Sequence, residues 1–194
     1  MTAAILFIAL SIFSIFKVLV PIREEEEVTL YSYSMKTGSN YKVYLVENKI
    51  YDLVMEENLI YPKSIFDKLK LYFFAEFSGS PNSGSDIRAD YIIEVKVRGF
   101  QMDKDEKRIV YEDTFPITSK LGLKFTDEAF FSEEVYLDFN QYESYVNNVE
   151  SIIIADPQSE AEIIFRGSFV SKTEYGNKEE KFEYSIALPL FENL

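Results

Sequence analysis

Any chemistry in this chain must come from carboxylates, lysines and hydroxyls, because its 194 residues include no histidine, no cysteine and no tryptophan. Without histidine there is no Ser-His-Asp triad, no imidazole metal ligand and no switch that titrates near neutrality. Without cysteine there is no disulfide, no thiolate zinc site and no thiol nucleophile. A Ser-Lys dyad can work without histidine. Ser119 and Lys120 are adjacent, however, and on a strand adjacent side chains point to opposite faces. Asp103-Lys104-Asp105, followed by Glu106, starts like a calcium loop. An EF-hand needs glycine at its sixth position and a distant glutamate; Arg108 stands at the sixth position here, so the motif fails. Weak cation binding by acidic loops stays open.

Glu24-Glu25-Glu26-Glu27 reads as a solvated stalk. It could also attract cations or hold the chain off an anionic membrane. A glycosidase needs two carboxylates about 5 to 9.5 Å apart. With 33 acidic residues, some pair meets that spacing by chance. No glycine-rich phosphate loop is present. The expectation is a protein that is not an enzyme, with no catalytic, cofactor-binding or metal-binding residues and no cofactor.

Formal charge is −13 at neutral pH. An acidic surface repels DNA, RNA and anionic headgroups, so no nucleic-acid partner is expected.

The element on which the rest depends is the stretch 3–22, AAILFIALSIFSIFKVLVPI. As a helix it is about 30 Å long, which matches the hydrocarbon thickness of a bilayer. It is apolar on all faces, unlike a core helix with one polar side. Lys17 lies near its carboxyl end, where the stem can carry the ammonium to the interface. A cleaved signal peptide would have a basic start and an A-x-A-like site, and neither is present. A pilin-type helix would carry an early glutamate, also absent. The reading is a transmembrane anchor over 1–23, an acidic stalk over 24–27 and one domain over 28–194.

The domain reads as strands. Residues 28–35 alternate, and the cluster Thr37-Gly38-Ser39-Asn40 predicts a turn. Tyr41, Val43 and Leu45 predict a second strand, followed by a short segment near Ile50 and Tyr51. Glu56-Glu57-Asn58 predicts a loop. Leu69, Leu71, Phe73, Ala75 and Phe77 form one face of a third strand. Residues 78–85, SGSPNSGS, predict an exposed connection. Tyr91, Ile93, Val95 and Val97 form another face, and a charged turn over 103–107 predicts a hairpin with 109–115. Pro116 is expected to break that run. Residues 117–137 read as short extended pieces offering Phe125, Phe130, Phe131, Val135 and Leu137 to a core.

One stretch changes period. Phe139, Tyr142, Val146, Val149 and Ile153 fall at helical spacing, and Asp138 with Gln141 resembles a capping box. This predicts a helix over about 139–151, with Tyr142 and Tyr145 packing against the core. A last hairpin places Ala161, Ile163, Phe165 and Phe169 on one face, with Gly167 as a bulge or close contact. Tyr175-Gly176-Asn177-Lys178 turns the chain, and Phe182, Tyr184, Ile186 and Leu188 return. The fold expected is mainly β, an antiparallel β-sandwich with one packed helix.

Certain stretches carry a resemblance. They are Tyr31-Ser32-Tyr33, Tyr41-Lys42-Val43-Tyr44-Leu45, Asn48-Lys49-Ile50-Tyr51, Asp67-Lys68-Leu69-Lys70-Leu71 and Phe77-Ser78-Gly79-Ser80. The chain resembles a family of unknown function: membrane-anchored, extracytoplasmic β-rich proteins of archaea and Gram-positive bacteria. Some members are similar to neighbours of type I signal peptidases, which implies a role in protein export or cell-surface assembly. Two departures stand out. Residues 53–59 lack a glycine-proline turn, and the chain stops at Leu194 where many relatives continue toward a second membrane helix. The resemblance brings no site residues.

Lys17 and Arg23 at the far end of the anchor argue for a cytoplasmic domain by the positive-inside rule. The resemblance argues for the opposite orientation, with the domain outside, and that orientation is adopted here. The expected partners are the membrane, through the N-terminal helix, and another surface or secretion protein. Contact would come from edge strands and exposed tyrosines. The alternative is a self-assembling component of a surface layer or fibre, which leaves homo-oligomers open.

Overall fold

A computed structural model of the chain describes residues 31–56, 65–79, 84–104, 106–153, 157–174 and 176–190. The expected anchor and acidic stalk lie outside these residues. Among the described residues, no helix is long and apolar enough to cross a membrane.

Among the described residues, eight strands and one helix follow one another: β1 Tyr33–Leu45, β2 Val54–Glu56, β3 Phe66–Gly79, β4 Asp86–Asp103, β5 Glu106–Thr126, β6 Glu128–Leu137, α1 Phe139–Glu150, β7 Gln158–Thr173 and β8 Gly176–Pro189. Pairing runs in the order β2-β1-β3-β6-β5-β4-β7-β8, and every pair is antiparallel. β5 and β6 share only the bridge Thr126↔Glu128, where Asp127 turns the chain at φ 61°. The described residues therefore form two four-stranded antiparallel sheets, β2-β1-β3-β6 and β5-β4-β7-β8, joined at one corner.

The period of two explains which side chains go inside. On β3, Leu69, Leu71, Phe73, Ala75 and Phe77 are all buried, as are Tyr91, Ile93, Val95 and Val97 on β4. Ala161, Ile163, Phe165 and Phe169 do the same on β7. These inner faces meet through rings: Phe73 lies tilted against Phe165 at 5.2 Å, while Phe77 stacks on Phe169 at 5.4 Å and Tyr91 on Phe131 at 4.6 Å between centroids. Aromatic pairs at such distances add to the hydrophobic gain from burial.

α1 starts where expected. Asp138 caps it, accepting from the Asn140 amide at 3.0 Å. Its buried residues are Phe139, Tyr142 and Val146. Phe139 packs on Phe66 of β3 at 5.3 Å, and Tyr142 on Phe115 of β5 at 5.5 Å. The helix thus closes one end of the core between the two sheets. The aromatic stripe Tyr142/Tyr145 is packing surface, since Tyr145 also lies against Phe115 and Tyr111.

Three expectations are corrected. Thr37-Gly38-Ser39-Asn40 is not a turn but the middle of β1, paired with Ala75, Phe74, Phe73 and Tyr72. Tertiary pairing overrides the local preference, and the Phe74 ring lies where a Cβ on Gly38 would be, 2.7 Å from its Cε1. Pro116 does not end a strand, because β5 runs through it. It sits at a register shift on a strand that is an edge over most of its length, where a missing N–H is tolerated. Phe130 is 56% exposed, because the alternation that buries Ala129 and Phe131 turns it outward. Smaller adjustments follow: Glu56 belongs to β2, and the last hairpin closes at Thr173↔Gly176.

Candidate functional site

Of the residues singled out for chemistry, Lys120, Asp103 and Glu106 take structural roles, while Ser119 lines an open groove. Ser119 and Lys120 both lie on β5; Lys120 Nζ donates to Glu133 at 2.9 Å. Asp103 and Glu106 close the β4–β5 hairpin, with Lys104 in the left-handed region at φ 60°. Asp105 and Glu24–Glu27 lie outside the described residues. Among the described residues, no group of acidic side chains is placed to hold a metal ion.

One polar cluster ties the two sheets together, and a second ties the helix to the second sheet. Tyr91 on β4 donates to Glu133 on β6 at 2.6 Å, and Lys120 on β5 donates to the same oxygen. They brace the corner where the sheets separate. Burial and the Glu133 bond push the Tyr91 hydroxyl up to about 12. Burial alone would raise Glu133, but the Tyr91 and Lys120 hydrogen bonds outweigh it and hold the carboxyl below its ordinary value. In the second cluster, Ser159 on β7 donates to Glu150 at 3.0 Å and lies 2.6 Å from the Tyr111 hydroxyl of β5. A serine on a carboxylate has the makings of an acid–base pair, but Ser159 is only 4% exposed. It anchors the end of α1, and burial raises the Tyr111 pKa.

The accessible feature is a groove of about 700 Å³ across the outer face of the second sheet. Its floor is backbone at Tyr91, Gly167 and Phe182, which are aligned across β4, β7 and β8. One wall is the cross-strand row Ser119, Ile92, Arg166 and Glu183. The other is Leu121, Asp90, Ser168 and Lys181. On the core side of this floor Gly167 lets the Phe182 ring lie across β7: a Cβ there would meet the Asp90 carbonyl and lie 2.7 Å from Phe182 Cζ. Here the expected close contact holds, while β7 keeps an unbroken register through Gly167 on both sides.

The walls are held in place. Arg166 donates to Glu94 at 2.7 Å, and Glu94 is buried to 6% exposure; a buried carboxylate needs such a partner. Asp90 accepts from the Gly122 amide, which fixes a bulge of β5 and leaves Leu121 77% exposed. The groove offers both charges, two hydroxyls and an apolar strip. This is equipment for recognition. The sequence pointed to Tyr91, Ser119, Gly167 and Phe182 for separate reasons and not as one site, because they meet only through strand pairing.

The groove ends at β8, the last strand of its sheet. β8 has 14 residues and pairs with β7 from Thr173↔Gly176 to Glu160↔Pro189 without a register shift. Among the described residues no strand pairs with its other side. The expected exposed tyrosines are present as Tyr33, Tyr51, Tyr136 and Tyr184, each more than a third exposed. Tyr33 leans on β8, donating to Glu180 at 2.6 Å. That bond, with Lys178, lowers the Glu180 pKa.

No family model matches this chain, and no curated protein matches it. Among solved structures it is similar to the crystal structure of the "Putative ApaA Protein" from Bordetella pertussis, at 13% identity and a TM-score of 0.29, over 84% of this chain and 98% of that one.

Proposed function

We propose that this chain is a membrane-anchored, extracytoplasmic β-sandwich that binds another surface or secretion protein by accepting a strand at β8. The single observation that carries the reading is the regular, one-sided β8 edge. Such an edge presents a row of unpaired N–H and C=O groups, which is the template for strand addition. The apolar stretch 3–22 supports the anchor. The resemblance to extracytoplasmic β-rich proteins supports the location and a role in export or surface assembly. No catalytic task is proposed.

The parity of β8 sets the test. The two-residue hairpin makes Thr173↔Gly176 a pair that exchanges both hydrogen bonds. Even-numbered residues of β8 then bond to β7, and odd-numbered ones point their amides outward. Pro189 agrees, since it has no amide to give to Glu160 opposite. Ser185→Pro removes an outward donor. In the full chain it should abolish crosslinking from a photoreactive residue at Tyr184 to the partner, while thermal unfolding changes little. Undiminished crosslinking would exclude strand addition. Location is read with Asn177→Cys at the exposed hairpin end, in a chain with no native cysteine. A membrane-impermeant thiol reagent should label it on intact cells; labelling only after lysis would place the domain inside.

A further inference from the structure

The outward side chains of β8 alternate in sign: Glu179, Lys181, Glu183. Lysine and glutamate on an edge strand commonly serve to prevent pairing. That protection works when like charges meet. Here the pattern is self-complementary about Phe182. A second β8 laid antiparallel with its two-fold axis at Phe182 sets Lys181 opposite the second copy's Glu183, and Glu183 opposite its Lys181. Both residues have outward amides by the parity above, so each pair also exchanges two backbone hydrogen bonds. On the other face the same register sets Glu180 beside Tyr184 and leaves no like-charged pair. Shifting the centre to Glu180 would oppose glutamate to glutamate, and shifting it to Lys181 would oppose Glu179 to Glu183.

We infer that β8 pairs with β8 of a second copy of this chain about a two-fold axis at Phe182, giving an isologous dimer with one eight-stranded sheet. This inference rests on the reading of β8 as an acceptor edge, and it names a second copy of this chain, in place of another protein, as the owner of the strand that β8 accepts. Such a contact closes at two copies, so it builds neither a layer nor a fibre. It also completes the groove. Lys181, Phe182 and Glu183 line its β8 end. The axis passes through that end, so the groove of one protomer continues into that of its partner. The site described above is then half of a longer one.

The experiment uses the full chain in its membrane, with Lys181→Cys and Glu183→Cys expressed separately and together. Opposed hydrogen-bonded residues have Cα atoms about 5.5 Å apart, within disulfide reach. The same residue in the two copies is offset by two positions, and beyond it. Oxidation should therefore crosslink the mixture and neither variant alone. Lys181→Glu and Glu183→Lys should each weaken the dimer about tenfold, and the double exchange should restore it. Unfolding midpoints near wild type keep the charge variants interpretable. Equal crosslinking in all three samples, or no restoration by the double exchange, would overturn the inference. Crosslinks from β8 to a different protein without self-crosslinks would overturn it too and leave strand addition standing. Absence of both kinds would remove strand addition as well.

Discussion

The second sheet ends in two edges built on opposite plans. β5 pairs β4 with three register shifts, at Ala89/Tyr91, Ile93/Glu94 and Gly99/Phe100, and in each the extra residue is on β5. It carries Pro116 and a left-handed Gly122 at φ 70°. β8 has no shift anywhere along its ladder. Bulges and proline spoil an edge as a template, whereas a flat ladder preserves it. The difference separates an edge that resists strand pairing from one whose backbone would allow it. The bulges also shape the groove, because the extra residues at the first shift set Leu121 on its rim.

The largest test of this contrast strikes the strand on which β8 rests. Gly167→Val should cost about 3 kcal/mol, since the added carbons meet a backbone carbonyl and a buried ring with no room to move. Urea unfolding measures it, and a loss below about 1 kcal/mol would show that β8 can shift outward instead.

A middle-sized effect is expected at the β5 corner. Tyr91→Phe removes the bond to Glu133 and should cost about 1.5 kcal/mol. Its pH signature is specific. The Tyr91 pKa is raised to about 12 from 10.0, so the folded chain keeps this proton longer than the unfolded one. That contribution is complete below pH 10 and fades as pH rises toward 12. Tyr111, Tyr142 and Tyr145 are raised as well, so the variant should soften the alkaline loss of stability without removing it. On the acid side the sign reverses. The Glu133 pKa is lowered, so its contribution is present above the ordinary glutamate value of 4.5 and is lost as pH falls. The variant should soften that decline too. Stability curves of wild type and variant that stay parallel from pH 3 to 12 would sink this account.

The smallest effect belongs to Pro116→Ala. On an edge already broken by bulges, the restored amide has little to do, and the change should stay within about 1 kcal/mol. A larger loss by thermal unfolding would mean that the proline shapes β5 rather than merely being tolerated there.

The faces of β3, β4 and β7 were legible because burial on one side of a strand leaves a period of two in the residues. α1 was legible because Phe139, Tyr142 and Val146 keep a helical period behind a capping aspartate. The run 37–40 misled because local turn chemistry lost to thirteen cross-strand partners along β1. Phe130 misled because hydrophobicity alone does not tell inward from outward. The groove was illegible for a deeper reason. Its walls draw residues from four strands in an order, β5-β4-β7-β8, that the chain does not follow. Of its residues, Ser119 stood out only as half of a dyad and Gly167 only as a missing side chain in an otherwise apolar row.

The order of the strands has a consequence for how the chain is made. β3 pairs with β6, from Leu69↔Leu137 to Ser78↔Glu128, while the intervening β4 and β5 belong to the other sheet. As the chain emerges from the ribosome, β3 can find β1 at once but must wait for β6. The strand that waits carries Leu69, Leu71, Phe73, Ala75 and Phe77. Non-local pairing of this kind forms slowly and leaves a sticky edge open in the meantime. The risk of aggregation therefore lies in the first moments of the molecule's life, on an apolar face that its finished form buries.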